Sequence, residues 1–495
     1  VQLSKTFVAG LDLSGAARET AKRPLLQMPL LISERALSDA TDELFRQTAA
    51  MAERGFIPSV EVISMPKSSY GPRPIGVLSP EARTLYHALV SKLGPSLAES
   101  SRDQGLGTHK GFGVELERPV EERIVDLDIA ACYEYIAHDL LADELMLQGA
   151  DAESVQSLVE FLGAIYSRGL GIPQALDVSH SLADTYLQRM DRGILRAGYD
   201  VNRFADDFRI VAASWAAAHE AIEFAVEEAR RIGLTLSDGK THIRKAETIR
   251  MQEQERTDLL DQYKSDARDE LRSIEVIQVG YEDFEIEETD ATDEEVDFSA
   301  LTRIVKDWFE SDRDTRYKHG YLGSQALRGL RKAPDRLDTA WLVEIVRREP
   351  ARLPVIAIYL LGRKEADQNW DALCELTRLD RLSPWSRLWL LRTSEELHTA
   401  SGFQSDAFYQ WAATCLDDKF EVVRAEAAWV LATKGLLTIE RVARLFIEAT
   451  DVSRLGLVAT AGKIDGTTRS KVGASLARES RLARCAYDWG TAYAN

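Results

Sequence analysis

The stretch that decides the fold is residues 201–213, VNRFADDFRIVAA. Apolar arms flank Asp206-Asp207, a pattern that predicts a β-hairpin with the acidic pair at its tip. An Asp-Asp pair alone marks only a turn, because Asp tolerates the backbone angles that turns require. It gains weight from residues 123–136, RIVDLDIAACYEYI, earlier in the chain. These read as a short apolar strand that carries Asp126 and Asp128 on one face, since strand side chains alternate. Asp is depleted in strands, so two on one face ask for a reason, and a divalent cation is one. Two carboxylates about 4 Å apart repel by roughly 4 kcal/mol at an effective dielectric of about 20, so a cluster of three calls for Mg2+.

Working outward, residues 169–193 open with a Gly/Pro turn and continue as a helix with Leu182, Tyr186 and Met190 on one side. After the hairpin, a helix is predicted from about 216 to 231. GLTLSDGKTHI (233–243) then reads as a second hairpin around an Asp-Gly turn. Upstream, IPSVEVISMPK (57–67) reads as a strand, PRPIGVL as its hairpin partner and SSYG as the turn between them. A helix follows with Ser79 as N-cap and Pro80 at its first position, and Gly94-Pro95 stops it. Its Leu85, Leu89 and Leu93 place one face on a core.

The 495 residues include 61 Lys+Arg and 80 Asp+Glu, and 45% are apolar, which is ordinary globular material for two or more domains. No run of 18 apolar residues is present, which excludes a membrane-spanning helix. The first residues, VQLSKTFVAGLDLSG, lack the pattern of a signal peptide, so a cytoplasmic location is expected. Cys132, Cys374, Cys415 and Cys485 lie far apart, against a zinc ribbon, a redox pair or a disulfide framework. The net charge of -19 argues at first against a nucleic-acid protein, because Lys and Arg supply most affinity for phosphate. Its location changes that. Residues 1–250 hold 27 basic and 36 acidic residues, 251–300 hold 4 and 18, and 301–495 hold 30 and 26. Most of the excess thus lies in one segment, and residues 281–298, YEDFEIEETDATDEEVDF, read as a solvated acidic linker at a domain boundary. Beyond it the sequence is almost wholly helical. DDKFEVVRAEAAWVLATKG followed by LTIERVARLFIEA forms the clearest helix pair, and such pairs stack because neither can bury its apolar face alone.

The order of these pieces resembles the palm of a reverse transcriptase. Asp128 with Tyr133 five residues on matches motif A of that family, and Ile172-Pro173-Gln174 matches motif B. Phe204-Ala205-Asp206-Asp207 matches motif C, and 233–240, ending at Lys240, matches motif D. Lys67, Arg73-Pro74-Ile75 and the Ser79-Pro80 helix with Arg83 match the fingers. The resemblance covers about residues 55–245. Two positions depart from the pattern: Phe204 stands where Tyr is commoner, and Ala175 where Gly is usual, which crowds the passage of template or nucleotide.

The resemblance implies roles. Asp128, Asp206 and Asp207 would hold two Mg2+ ions, one lowering the pKa of an attacking hydroxyl and the other steadying the triphosphate and the leaving pyrophosphate. Asp126, on the same face, would support them. Tyr133 would lie under the sugar and exclude a 2′-hydroxyl; the alternative is an aromatic packed beside the strand. Lys67 and Arg73 would neutralise triphosphate oxygens, or else stay solvated. Gln174 would orient the nucleotide, and Lys240 would protonate the pyrophosphate. Arg83 would touch template or form an ion pair within the fingers. His87, His138 and His180 show no ligand spacing and read as structural.

The expected fold class is α+β: a reverse transcriptase fingers-palm domain over 1–250, a helix and acidic linker over 251–300, and an all-α, HEAT-like repeat domain over 301–495. This layout resembles the abortive-infection and defence-associated reverse transcriptases of bacteria. That likeness implies an antiviral Mg2+-dependent DNA polymerase using dNTPs and an RNA template, which in some relatives is a dedicated noncoding RNA and in others is dispensed with. It also implies a DNA product, a homo-oligomer and, in some relatives, priming from a protein tyrosine, for which Tyr487 and Tyr493 are the tail candidates. The competing reading is an interaction or sensor protein whose repeats bind a partner and whose palm is not catalytic.

Overall fold

The computed structural model describes every residue except 24, 68–70, 116–118, 267–273, 279–283, 289–297, 312–315, 334–335, 364–365, 399–404, 467–468 and 494–495. Two compact units result. One joins Val1–Lys92 to Val305–Asn495, and the other is Leu93–Ile304. The division by packing therefore differs from the linear one expected at 250 and 300.

In the first unit, β1 (Val60–Pro66) and β2 (Pro72–Leu78) pair antiparallel with Met65 opposite Arg73. The SSYG turn falls mostly on residues 68–70, outside the described residues. The helix Pro80–Lys92 follows as expected, and the Ser79 hydroxyl accepts from the Ala82 amide at 3.3 Å. Helices then fill the C-terminal half, and each packs against the next but one. Arg316–Leu330, Leu353–Leu361, Pro384–Glu396, Glu421–Thr433, Arg454–Asp465 and Arg481–Ala492 make one row in this way. The N-terminal segment packs on that row. Arg35 pairs with Glu395 at 2.7 Å and Glu426 at 3.5 Å. The indoles of Trp385 and Trp389 both donate to the Gln27 carbonyl. The Glu61 carboxylate of β1 accepts from the Glu421 and Val422 amides at 2.8 and 3.0 Å, and so caps the helix Glu421–Thr433. These long-range polar contacts explain why the first 92 residues belong with the C-terminal helices.

The second unit is built on a four-stranded sheet. Its strands are β3 (Arg123–Asp128), β4 (Asp200–Phe204), β5 (Asp207–Ala212) and β6 (His242–Arg244), in the order β4-β5-β3-β6. The hairpin expected at 201–213 is present as β4 and β5, with Phe204 paired to Asp207. The helices Asp177–Arg196 and Trp215–Arg231 pack against the sheet, with Ser214 capping the second. The stretch 233–243 does not form the expected second hairpin. Leu236 bridges Ile129, and His242 to Arg244 pair with Asp126 to Ile124, so both arms run along β3 instead of along each other. The Asp-Gly pair makes one 3-10 turn, Asp238–Lys240, that bulges out of this edge strand.

The acidic segment also differs from a plain linker. β7 (Ile274–Gln278) and β8 (Phe284–Glu288) pair antiparallel, with 289–297 outside the described residues. Among the described residues no helix is long and apolar enough to cross a membrane. None of the four cysteines forms a disulfide, and Cys132, Cys374 and Cys415 are buried.

Candidate active site

The sheet register places Asp128 directly opposite Asp207. Side chains facing each other across an antiparallel pair share a face, so both carboxylates lie on the face that the sequence alternation selects. Asp206 occupies the two-residue turn with Ala205, whose backbone is left-handed (φ 56°). Left-handed backbone costs a non-glycine residue about 1–2 kcal/mol, and the surroundings hold it. Ser101 accepts from the Ala205 amide at 2.9 Å and donates to Asp184 at 2.7 Å, while Arg203 donates to the Ala205 carbonyl at 3.0 Å. Arg203 itself is buried between Asp184 and Asp191.

Asp128 is 5% exposed. Burial and then the charge of Asp128 push the Asp206 carboxyl above its usual range, with Lys240 and Arg102 acting the other way. Lys240 donates from Nζ to Asp128 Oδ1 at 2.7 Å. Burial works against the Lys240 ammonium, but its bond to Asp128 and the charges of the three carboxylates raise it above its usual value. The 3-10 bulge is what carries Lys240 there, anchored by the Ser237 amide on the Asp128 carbonyl at 2.8 Å.

Asp126 is a different kind of carboxylate. Arg209, its direct cross-strand neighbour, donates to it at 2.7 Å, and Arg244 of β6 takes its other oxygen. Both oxygens are thus engaged in holding β5 and β6 to β3.

Tyr133 is half-buried in the short helix Cys132–Tyr135, beyond left-handed Ala131 (φ 49°). Its ring meets His180 edge-on at 6.2 Å and 82°, and burial raises its pKa above the usual phenol value. Tyr133, Arg102, Cys132, His180, Asp184 and Asp206 line one pocket. Gln174 is half-buried in the turn before the helix Asp177–Arg196. That turn is tied to the Tyr133 segment, since Ile172 donates to the Tyr133 carbonyl at 2.9 Å and Gly171 to that of Ile136 at 2.8 Å. Ala175 takes the left-handed conformation that glycine would supply (φ 64°).

The structure thus brings Asp128, Asp206, Asp207, Lys240 and Tyr133 into one unit, with the Gln174 turn tied to them. Lys67 and Arg73 stand on the β1-β2 hairpin of the other unit. Arg83 proves structural: it is 2% exposed and pairs with Glu34 while donating to the Arg23 carbonyl at 2.6 Å. His138 bonds the Gly171 carbonyl at 2.7 Å, and burial lowers the pKa of His87 to about 3. Tyr487 is 1% exposed and donates to Asp465 at 2.6 Å, and Tyr493 donates to Glu395 at 3.0 Å. Arg102, Ser101, Asp184 and Arg203 escaped the sequence reading. Arg203, adjoining the acidic pair on a strand, carried a signal; the others lie in stretches without periodicity.

The donors suit Mg2+. All are carboxylate oxygens, the hard ligands this ion takes, and the repulsion that raises Asp206 is what a divalent cation relieves. Among the described residues no group of three or more His, Cys, Asp or Glu side chains is gathered closely enough to hold an ion. Asp128 instead shares an oxygen with Lys240.

Residues 65–260 match the family described as Reverse transcriptase (RNA-dependent DNA polymerase). No curated protein matches the chain. Among solved structures, telomerase from Candida albicans in complex with the TWJ fragment of telomeric RNA is similar at 11% identity and a TM-score of 0.28. That match covers 73% of this chain and 65% of that one, so this chain spans just under two thirds of it. Apo telomerase from Candida tropicalis is similar at 12% identity and a TM-score of 0.27, covering 86% of this chain and 67% of that one.

Proposed function

With a reverse transcriptase domain over residues 65–260, we propose that the protein is a Mg2+-dependent DNA polymerase that adds dNTPs to a primer on an RNA template. The observation that carries this reading is the β3-β5 register, which sets Asp128 opposite Asp207 and Asp206 at the adjoining tip. Asp128, Asp206 and Asp207 would hold the two ions. Bound there, Mg2+ would acidify the attacking hydroxyl and offset charge on the triphosphate and the departing pyrophosphate. Lys240, held at Asp128 Oδ1, has its proton at the edge of this site, where it can pass to pyrophosphate. Tyr133 excludes the 2′-hydroxyl, and Gln174 orients the nucleotide. Lys67 and Arg73 are the proposed partners of triphosphate oxygens.

The biological setting we propose is antiviral defence in the cytoplasm, carried out by a homo-oligomer. Its support is the layout of a palm with helical, HEAT-like repeats. The hydrogen bonds of Tyr487 and Tyr493 to Asp465 and Glu395 favour a nucleic-acid primer over a tail tyrosine. Purified protein given a primed RNA template, dNTPs and Mg2+ should make a DNase-sensitive product, and Asp206→Ala with Asp207→Ala should abolish it. Synthesis that survives the double substitution removes these carboxylates from the mechanism. Phage plaque counts on cells carrying the same pair of alleles test the defence role.

A further inference from the structure

We propose that Ser101 positions Asp206 for the metal ion by fixing the backbone of the hairpin tip. This rests on the reading of Asp206 as an ion ligand. Ser101 lies in the stretch between the helix Pro80–Lys92 and β3, outside every motif named above. Its hydroxyl makes two bonds whose directions are set by its neighbours. Asp184, ion-paired with Arg203, can only accept, so the Ser101 proton goes to Asp184 Oδ1 at 2.7 Å. The hydroxyl oxygen is thereby left to accept from the Ala205 amide, 2.9 Å away.

Three successive peptide groups at the tip are tied down. Ser101 holds the first through the Ala205 amide, and Arg203 the second through the Ala205 carbonyl at 3.0 Å. The Ile129 amide, next to Asp128, holds the third through the Asp206 carbonyl at 3.2 Å. Because Asp184 bonds both Ser101 and Arg203, the first two ties close into one ring of bonds. Ser101, Asp184, Arg203 and Ala205 are all buried, so a bond lost here is not made good by water. Ala205 depends on the ring, since a positive φ at the first residue of a two-residue hairpin turn is the place of glycine. With the backbone fixed on both sides, Asp206 keeps only its side-chain torsions. A metal-binding carboxylate must be held to within about 0.5 Å, and this arrangement does so. Ser101 is a positioning residue and acts through Asp206.

The test makes two measurements on the full chain. One is Mn2+ binding without nucleotide, followed by electron paramagnetic resonance; the other is single-nucleotide addition, with kcat and KM read separately. Ser101→Ala should weaken Mn2+ binding and lower kcat, each about tenfold, the worth of one hydrogen bond, while KM for the dNTP stays put. Ser101→Thr, which keeps the hydroxyl, should restore both. In an Asp206→Ala background, Ser101→Ala should weaken Mn2+ binding no further. If Asp206→Ala by itself leaves Mn2+ binding and rate at the parent values, the reading of Asp206 as a ligand fails. If Asp206→Ala lowers both and Ser101→Ala lowers neither, Asp206 stands and the role of Ser101 is overturned. A lower melting temperature alone in Ser101→Ala, or a raised KM with kcat intact, overturns it as well. Should Ser101→Ala not fold, Ser101→Cys decides, because a thiol fills the same place with weaker bonds. Parent values in both measurements for Ser101→Cys then overturn the proposal.

Discussion

Lys240 Nζ sits 2.7 Å from Oδ1 of Asp128, a residue 112 positions earlier in the chain. The bulged edge strand brings this cation onto a carboxylate of the acidic cluster, where it offsets charge and is the proton donor proposed above. Lys240→Ala should therefore slow nucleotide addition by about 100-fold, the lower range for loss of a positioned general acid. Lys240→Arg should restore the charge but not the proton transfer, because guanidinium does not release its proton near neutral pH. Pre-steady-state incorporation rates check this, and equal rates for Lys240→Ala and the parent chain would leave Lys240 with only an electrostatic part in the sheet.

Ala175 holds a left-handed backbone at φ 64° in the turn that carries Gln174. Ala175→Gly relieves about 1–2 kcal/mol of strain and costs about 0.5–1 kcal/mol in unfolded-state entropy, a net gain near 1 kcal/mol. Ala175→Val adds a branched side chain at the same φ and should destabilise. Urea unfolding of the two variants gives the sign directly.

Arg35 stands between Glu395 and Glu426, with side chains only 8%, 5% and 2% exposed. Arg35→Met strands two buried carboxylates and should cost roughly 3–5 kcal/mol. Because Arg35 joins the N-terminal segment to the C-terminal helices, the loss should appear in the unfolding of that unit. A midpoint shift under 1 kcal/mol would show that the packing of the two segments does not depend on this pair.

Glu81 lies buried in the helix Pro80–Lys92, with its Oε1 accepting from Gln47 at 2.8 Å and Oε2 without a partner. Burial raises its pKa from 4.5 to about 7. A carboxyl whose folded pKa lies above its unfolded one binds its proton better in the folded state. Stability therefore falls as pH rises from about 4.5 to about 7 and levels off above. Glu81→Gln should remove this slope and gain on the order of 1–3 kcal/mol at pH 8 relative to pH 5. Thermal unfolding of both proteins across that pH range decides it.

Much of the second unit was legible locally. Alternation in RIVDLD and in the arms around Asp206-Asp207 specified three strands and the turn between two of them, and Ser79 and Pro80 marked a helix start. These signals survive in one dimension because a strand face repeats every two residues and a cap sits beside its helix. The segment 233–243 misled for a related reason. An Asp-Gly pair favours a hairpin turn locally, but β3 offered both arms a longer partner, and backbone groups that pair with a central strand win over a two-stranded ribbon.

The sequence by itself determined the acidic strand, the acidic hairpin tip and the helical character of the C-terminal half. Tertiary structure decided the rest. It separated Asp126, clamped by Arg209 and Arg244, from Asp128, although the two share a strand face. It set Arg102 in the pocket that Tyr133 lines and delivered Lys240 to Asp128. It also joined the first 92 residues to the C-terminal helices through contacts such as Arg35 with Glu395, 360 positions apart. Such contacts depend on where whole elements pack, and a side chain that bonds across hundreds of residues leaves no periodic trace around its own position.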